Sequence, residues 1–387
     1  MSTSANQPST AVFSRPRTPA AKCLHLIRTR QIIARSELVI ATGLSQPTVT
    51  RAVSALIDTG LVHERTDLSS ARGRGRPTIP VELAPSPWLH AGVAIGTTST
   101  YIALYDSKGR TFRDGHVNRN VADVSPEDFV EYVIAGLHQL TNGLANPLVS
   151  VGVTSSGRVS SEGVVDAPNL GWHNLDLADR LRYQFSVPVI VASAVPALLA
   201  AEMQSTELPA PGESEPVLNL FADDTLGAAL GDDVGVHSIA PLPEAESELL
   251  NTTGLATEET LSTQGFLRRL RDLGHDLPTL DATVRAGEST PQVRELLDER
   301  ARLLGRVAAE LVTIHRPTTL VICGSAFTGD PHAPKLFAEV VRNAAGRGLD
   351  LRMIPTHREI VRAVARAAAL DQLLREPLKL TPEIRQP

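Results

Sequence analysis

The chain has 387 residues, room for two or three domains of roughly 100 to 200 residues each, which excludes a single small domain. Apolar residues make up 42% and charged residues 21%, with a mean hydropathy of −0.03, a globular balance that excludes a wholly disordered chain. The net charge of −6 argues by itself against a nucleic-acid partner, but it hides a division: residues 1–80 carry eleven Lys or Arg against four Asp or Glu, a balance of +7, and the remainder carries −13.

A basic module on an acidic body fits a part that tracks phosphates joined to a part that does something else; the alternative is a solvated basic surface. The longest apolar run, Val187–Ala201, is interrupted by Pro188 and Pro196 and falls short of the roughly 20 residues that span a bilayer, so no membrane span is expected. Residues 1–19 are rich in Ser, Thr and Pro and lack an apolar signal core. They read as a disordered tail on a cytoplasmic protein. Cys23 and Cys323 lie too far apart to suggest a disulfide framework or a four-thiolate zinc site, and read as buried thiols.

In chain order, Ala20–Arg30 has helical spacing, and Ser36 is suited to cap a second helix through Glu37, Leu38 and Ile40. Gly43 breaks it where a tight turn needs positive φ, Leu44 tucks under the turn, and Ser45 caps a third helix with Pro47 in its first turn. Val49, Val53, Leu56 and Ile57 form the buried face of that helix. Gln46, Pro47, Thr48, Thr50, Arg51 and Ser54 lie outside it, near the end where a recognition helix meets base edges. Gly60 ends the helix, a strand follows at Leu61–Arg65, and Arg72–Val81 reads as a ribbon with a basic tip. Arginines spaced by glycines can follow a narrow minor groove. The bland alternatives are a flexible linker for the Arg-Gly-Arg tract and a small helical cap for the helices. The order of helix, helix, turn, amphipathic helix and basic ribbon favours a winged helix-turn-helix DNA-binding domain over residues 20–84.

This stretch resembles the winged helix-turn-helix of bacterial repressors, carried by Leu44-Ser45-Gln46-Pro47-Thr48-Val49-Thr50-Arg51, Leu56 and Gly60-Leu61-Val62. In that reading Ser45 is the cap, Gln46 and Arg51 read bases, Thr48 and Thr50 contact phosphate or base beside Pro47, and Arg74 and Arg76 serve the groove and the backbone.

After a linker marked by Pro85 and Pro87 the pattern is α/β. Strands at Leu89–Ile95, Tyr101–Tyr105 and Arg110–Val117 make a meander, Val149–Val153 is a strand, 163–172 a loop, 175–185 a helix and Val187–Ala192 a buried strand. A strand pair at Val217–Leu230, a helix at Leu296–His315 and a strand at Thr319–Ile322 repeat the theme, predicting two lobes at about 88–200 and 215–370 within a body of residues 85–380.

The body resembles the ROK family of repressors and sugar kinases, with its two-lobed actin-like ATPase fold, on Ala167-Pro168-Asn169-Leu170-Gly171-Trp172, Val187-Pro188-Val189, Pro317 and Leu320-Val321-Ile322-Cys323-Gly324-Ser325. A winged helix before such a body is the repressor branch. The resemblance also implies where chemistry is missing. The family kinases use an aspartate after the buried strand as the base, and Ala194 stands there; a one-residue shift offers Ser193, which has no useful basicity. The family's second phosphate loop is glycine-rich, whereas Asp223-Asp224-Thr225-Leu226-Gly227-Ala228-Ala229 stands here and would repel a triphosphate. The family's zinc needs three cysteines and a histidine, and between His237 and Leu270 there is no cysteine. Glu244, Glu246 and Glu248 give no convincing match to the family's sugar-binding glutamate and histidine. Asn169 matches a sugar contact, or it merely holds its loop.

The expectation is therefore a DNA-binding transcriptional regulator, not an enzyme, with no cofactor and no metal. It is expected to bind a double-stranded operator as a homodimer or higher homo-oligomer, with half-sites about 34 to 36 Å apart. A sugar-like small-molecule effector would act through lobe closure. The alternatives are an ATP-dependent sugar kinase with an accessory DNA-binding head, and a ligand-free scaffold on DNA.

Overall fold

The computed structural model describes residues 11–68, 79–85, 88–209, 214–346, 348–354 and 357–380. The tip of the basic ribbon, with Arg74 and Arg76, lies outside them. Contacts gather the chain into two units, one of Phe13–Ser214 with the chain from Val361 on, the other containing Glu215–Ile360.

The first unit opens with a two-residue strand β1 (Phe13–Ser14), and Phe13 is buried, so the expectation of a disordered tail through residue 19 is corrected. Helix α1 (Pro19–Arg30) starts where Thr18 Oγ1 accepts from the Ala21 N–H and Pro19 supplies a preset φ. Strand β2 (Ile32–Ile33) and helices α2 (Arg35–Thr42) and α3 (Gln46–Asp58) follow. Ser36 is not the cap of α2. Ala34 takes that place, because the Glu37 carboxylate already reaches back to its N–H at 2.8 Å. Gly43 has φ +67 and donates to the Val39 carbonyl, the left-handed cap that the turn into α3 requires. Strands β3 (Val62–Glu64) and β4 (Val81–Leu83) complete a small antiparallel sheet in the order β2-β4-β3.

The unit continues with β5 (Leu89–Ile95), β6 (Thr100–Tyr105), β7 (Thr111–Val117), α4 (Pro126–Thr141), β8 (Leu148–Ser155), β9 (Arg158–Val159), β10 (Val164–Ala167), β11 (Trp172–Asp176), α5 (Leu177–Phe185), β12 (Val189–Ser193) and α6 (Ala194–Ser205). Its main sheet runs β12-β8-β5-β6-β7, parallel across the first three strands and antiparallel across the last three. Residues 163–172 are not a plain loop as expected: β10 pairs antiparallel with β9 and β11. Phe129 of α4 meets Trp172 of β11 in the core beneath the sheet, their rings 5.4 Å apart.

The second unit contains β13 (Val217–Ala222), β14 (Leu226–Gly231), β15 (Gly235–Ile239), α7 (Thr257–Leu261), α8 (Thr263–Asp272), α9 (Leu280–Ser289), α10 (Pro291–His315), β16 (Thr319–Cys323), α11 (Ser325–Thr328), α12 (Ala333–Ala345) and β17 (Asp350–Ile354). Strands β15, β14 and β13 are antiparallel and β13, β16 and β17 parallel, so each unit repeats an antiparallel meander extended by two parallel strands.

Helix α13 (His357–Arg375) returns the chain, from Val361 on, to the first unit, whereas the sequence pattern places residues through 370 in the second lobe. The reason is steric. Gly92 on β5 and Gly152 on β8 leave bare backbone on one face of the sheet, and a Cβ there would fall 2.4 Å from the Ala365 carbonyl and 2.1 Å from that of Ala368. The helix thus lies directly on the sheet, and its far end supplies Leu370, Leu373 and Leu374 to the core that also holds Leu24, Ile27, Val49, Val53 and Leu56 of the amino-terminal helices. Trp88 is buried in the same core, so the chain after Pro87 is not a free linker.

Candidate functional site

Helix α3 divides cleanly. Val49, Val53 and Leu56 are fully buried, each contributing about 1.5–3 kcal/mol, while Ser45, Gln46, Pro47, Thr50, Arg51 and Ser54 are exposed and Thr48 half-buried. Ser45 is the cap residue in extended conformation, and its hydroxyl lies 2.8 Å from that of Thr48, sharing a hydrogen bond with it. The DNA-contact residues expected at α3 thus share one face, exposed but for half-buried Thr48, whereas Arg74 and Arg76 lie outside the described residues.

The charge count of the basic module overstates the cations available to a partner. Arg35 is paired with Glu64 at 2.8 Å, Arg65 with Asp67 and Glu82, and Arg30 with Glu207. Half-buried Arg28 donates to the Gln204 carbonyl, and desolvation and then the nearby Arg366 push its guanidinium down to about 10. Among the described residues Arg51 makes no ion pair, which leaves it free for an anionic partner.

His25 Nε2 lies 2.7 Å from the Thr206 carbonyl, and burial pushes its imidazole down to about 4 despite that bond, so the ring is neutral and its Nε2–H is the donor. With Arg28 and Arg30 it fastens α1 to the chain at and just beyond the end of α6 (Gln204–Glu207). The other end of α6 is Ala194, directly after β12. Ser193 Oγ there donates to the Gly157 carbonyl at 2.9 Å, and Asn169 Nδ2 donates to Ser156 Oγ at 3.0 Å. Asn169, Ser156, Gly157 and Ser193 therefore gather where the parallel strands β8 and β12 end, the usual ligand edge of such a sheet. Neither Ala194 nor Ser193 supplies a base at this edge.

In the second unit, the turn from β13 into β14 carries Asp223. Its carboxylate accepts from Ser325 Oγ at 2.7 Å and from the Ser325 N–H at 3.3 Å. Arg300 is fully buried and donates to the Leu261 carbonyl and to Thr263 Oγ1, while Thr263 Oγ1 lies 3.2 Å from Ser325 Oγ. Each hydroxyl has one proton. Because Ser325 gives its proton to Asp223, Thr263 must give its own to Ser325, so the chain runs in one direction from cation to anion.

The stretch 241–257 is held by threonine hydroxyls. Thr257 Oγ1 accepts from the Ala245 N–H and donates to the Pro243 carbonyl, and Thr252 Oγ1 accepts from the Ser247 N–H. Glu246 and Glu258 accept backbone N–H groups of Gly254 and Leu242. These donors do not fit the family's zinc, and among the described residues no cluster of three His, Cys, Asp or Glu could hold a metal.

The fold is that of an α/β protein with a body of the actin-like sugar-kinase kind. Residues 90–208 match the ROK family. A transcriptional regulator of Mycobacterium tuberculosis is 32% identical over 384 residues, covering 93% of this chain and 86% of its own length. The xylose repressor of Bacillus subtilis is 27% identical over 163 residues, 41% of either chain. Among solved structures, a ROK family transcriptional regulator homologous to the E. coli MLC protein has a TM-score of 0.71 at 20% identity, covering 92% of this chain and 96% of its own. The ROK hexokinase of Thermus thermophilus has a TM-score of 0.57 at 18% identity, covering 73% and 98%. The chain belongs to the ROK family, as its sequence motifs suggested.

Proposed function

We propose that this ROK-family protein is a transcriptional regulator that grips duplex DNA through a winged helix-turn-helix formed by residues 20–84. The observation that carries this reading is α3, whose apolar stripe is consumed by the core and whose other stripe presents Gln46, Thr50 and Arg51 outward beside the N-terminal turn. Gln46 and Arg51 read base edges, Ser45, Pro47, Thr48 and Thr50 shape and flank the contact, and Arg74 and Arg76 follow the adjacent groove. The protein acts as a homodimer in the cytoplasm, and no helix among its described residues is long and apolar enough to cross a membrane.

The body senses a sugar-like molecule at the edge formed by Asn169, Ser156 and Ser193, without phosphoryl transfer. Ala194 supports the absence of catalysis, since an alanine cannot take a proton from a sugar hydroxyl. The fastening of α1 to the far end of α6 supports a route from that edge to the DNA-binding head. The shared fold with a ROK hexokinase raises the alternative of a sugar kinase. Incubation with ATP, magnesium and a panel of hexoses separates the two, and sugar-dependent ADP formation would contradict the proposal.

A further inference from the structure

Beside the exposed stripe of α3 lies a groove of about 410 Å³, walled by Arg51, Ala52 and Ala55 on one side, by Pro19 at the start of α1 on another, and by Leu378 and Lys379 of the turn after α13 on the third. Its size lies within the roughly 300–1,000 Å³ typical of small-molecule sites. Ala52 and Ala55 offer only a methyl each to its α3 wall. Its exposed wall residue Leu378 is 41% accessible, a large apolar side chain facing open space. Charge at the rim is one-sided. Lys379 is answered by Glu376 at 2.7 Å, whereas Arg51 has no ion-pair partner among the described residues.

We propose that this groove binds a small amphipathic acid, its apolar body against Ala52, Ala55, Pro19 and Leu378 and its acidic group on the Arg51 guanidinium. The inference rests on the reading of Arg51 as a base-contacting residue, because ligand and duplex then compete for one guanidinium. Occupancy lowers operator affinity from within the DNA-binding head, independently of the edge near Asn169. A mainly apolar lining with one unpaired cation matches such a ligand better than it matches a sugar, whose many hydroxyls outnumber the polar groups of Thr18, Thr48 and the Glu376–Lys379 pair.

The test uses the full-length protein and the fluorescent acid 1-anilinonaphthalene-8-sulfonate as probe. Titration should saturate at one dye per chain. Ala55→Trp, which fills the groove, and Leu378→Asp, which sets a negative charge on a surface turn and spares the core, should each weaken the dye by about tenfold or more. Arg51→Gln should weaken the anionic dye while leaving uncharged Nile red unchanged. Saturating dye should reduce promoter binding by the unaltered protein and not by Ala55→Trp. A dye affinity unmoved by both groove variants overturns the site, and an equal response of the two dyes to Arg51→Gln overturns the role of the charge. Failure of the DNA reading is distinguishable, since it shows as absent promoter preference before any dye is added.

Discussion

The Asp223 carboxylate accepts the Ser325 hydroxyl at 2.7 Å and, through its other oxygen, the Ser325 backbone N–H at 3.3 Å. An acid thus sits where the resemblance to family kinases places a loop that cradles phosphate. By sequence Asp223 and Asp224 are expected to repel a triphosphate; in the structure Asp223 also satisfies the polar groups there and closes the chain that begins at buried Arg300. Asp223→Ala should therefore cost about 1–3 kcal/mol in denaturant unfolding. Asp224→Ala should cost markedly less. Equal losses in the two variants would show that the Ser325 contact is not structural.

His25 makes stability depend on pH with a definite sign. Its folded-state pKa is depressed to about 4 by burial, while the unfolded chain titrates near 6.5, so the folded state holds fewer protons in between. The stability tied to the neutral ring is present above about pH 6.5 and is lost as pH falls toward 4. His25→Gln keeps a donor for the Thr206 carbonyl and removes the titration. Melting temperatures recorded from pH 7 to 4 should fall less steeply for His25→Gln than for the unaltered protein, although buried His90, also pushed down to about 4, keeps part of the slope in both. Parallel curves would contradict this assignment.

Gly152 tests how the amino-terminal helices are supported. A Cβ there would lie 2.1 Å from the Ala368 backbone, so Gly152→Ala must move α13, whose Leu370 and Leu373 sit in the core beneath α1 and α3. We expect a loss of about 1–3 kcal/mol together with faster amide exchange in α1. Gly115→Ala, where a Cβ meets nothing within 4 Å, is the control and should change little. Normal protection of α1 in Gly152→Ala would show that α13 is not its support.

How much of this was legible in the sequence depended on the range of the contact. The α3 stripe was legible because Val49, Val53 and Leu56 repeat at helical spacing and Gly43 marks the turn before it. Ser36 misled because serine suits a cap, while the contact that decided the start, Glu37 to the Ala34 N–H, needed only a shift of two positions. The strands in 163–172 were masked by Gly163, Pro168 and Gly171, which look like loop punctuation although each sits at an end of pairing. Long-range relations left no pattern. The approach of Ala368 to Gly152, the Thr206 partner of His25 and the placing of Leu378 beside Ala55 depend on packing between segments far apart in sequence. A glycine inside an apolar strand was the one available signal for the first of these.

The arginine of the exposed stripe separates base reading from plain phosphate attraction. Arg51→Ala should lower affinity for a preferred promoter fragment by about 1–3 kcal/mol while changing random-sequence binding much less. Arg76→Ala should instead weaken all sequences alike and lower the salt slope by about one. Fluorescence anisotropy at several salt concentrations distinguishes the patterns, and identical behaviour of the two variants would reject the division of roles.

The central claim is that α3 reads duplex sequence while the body does not transfer phosphate. Its most direct measurement is a competition assay at about 150 mM salt, in which the unaltered protein chooses between fragments of bacterial promoter regions and random duplex. The account predicts that a subset of promoter fragments outcompetes random duplex by at least about a thousandfold and that Gln46→Ala with Arg51→Ala removes the preference. Equal retention of every fragment by the unaltered protein would contradict it.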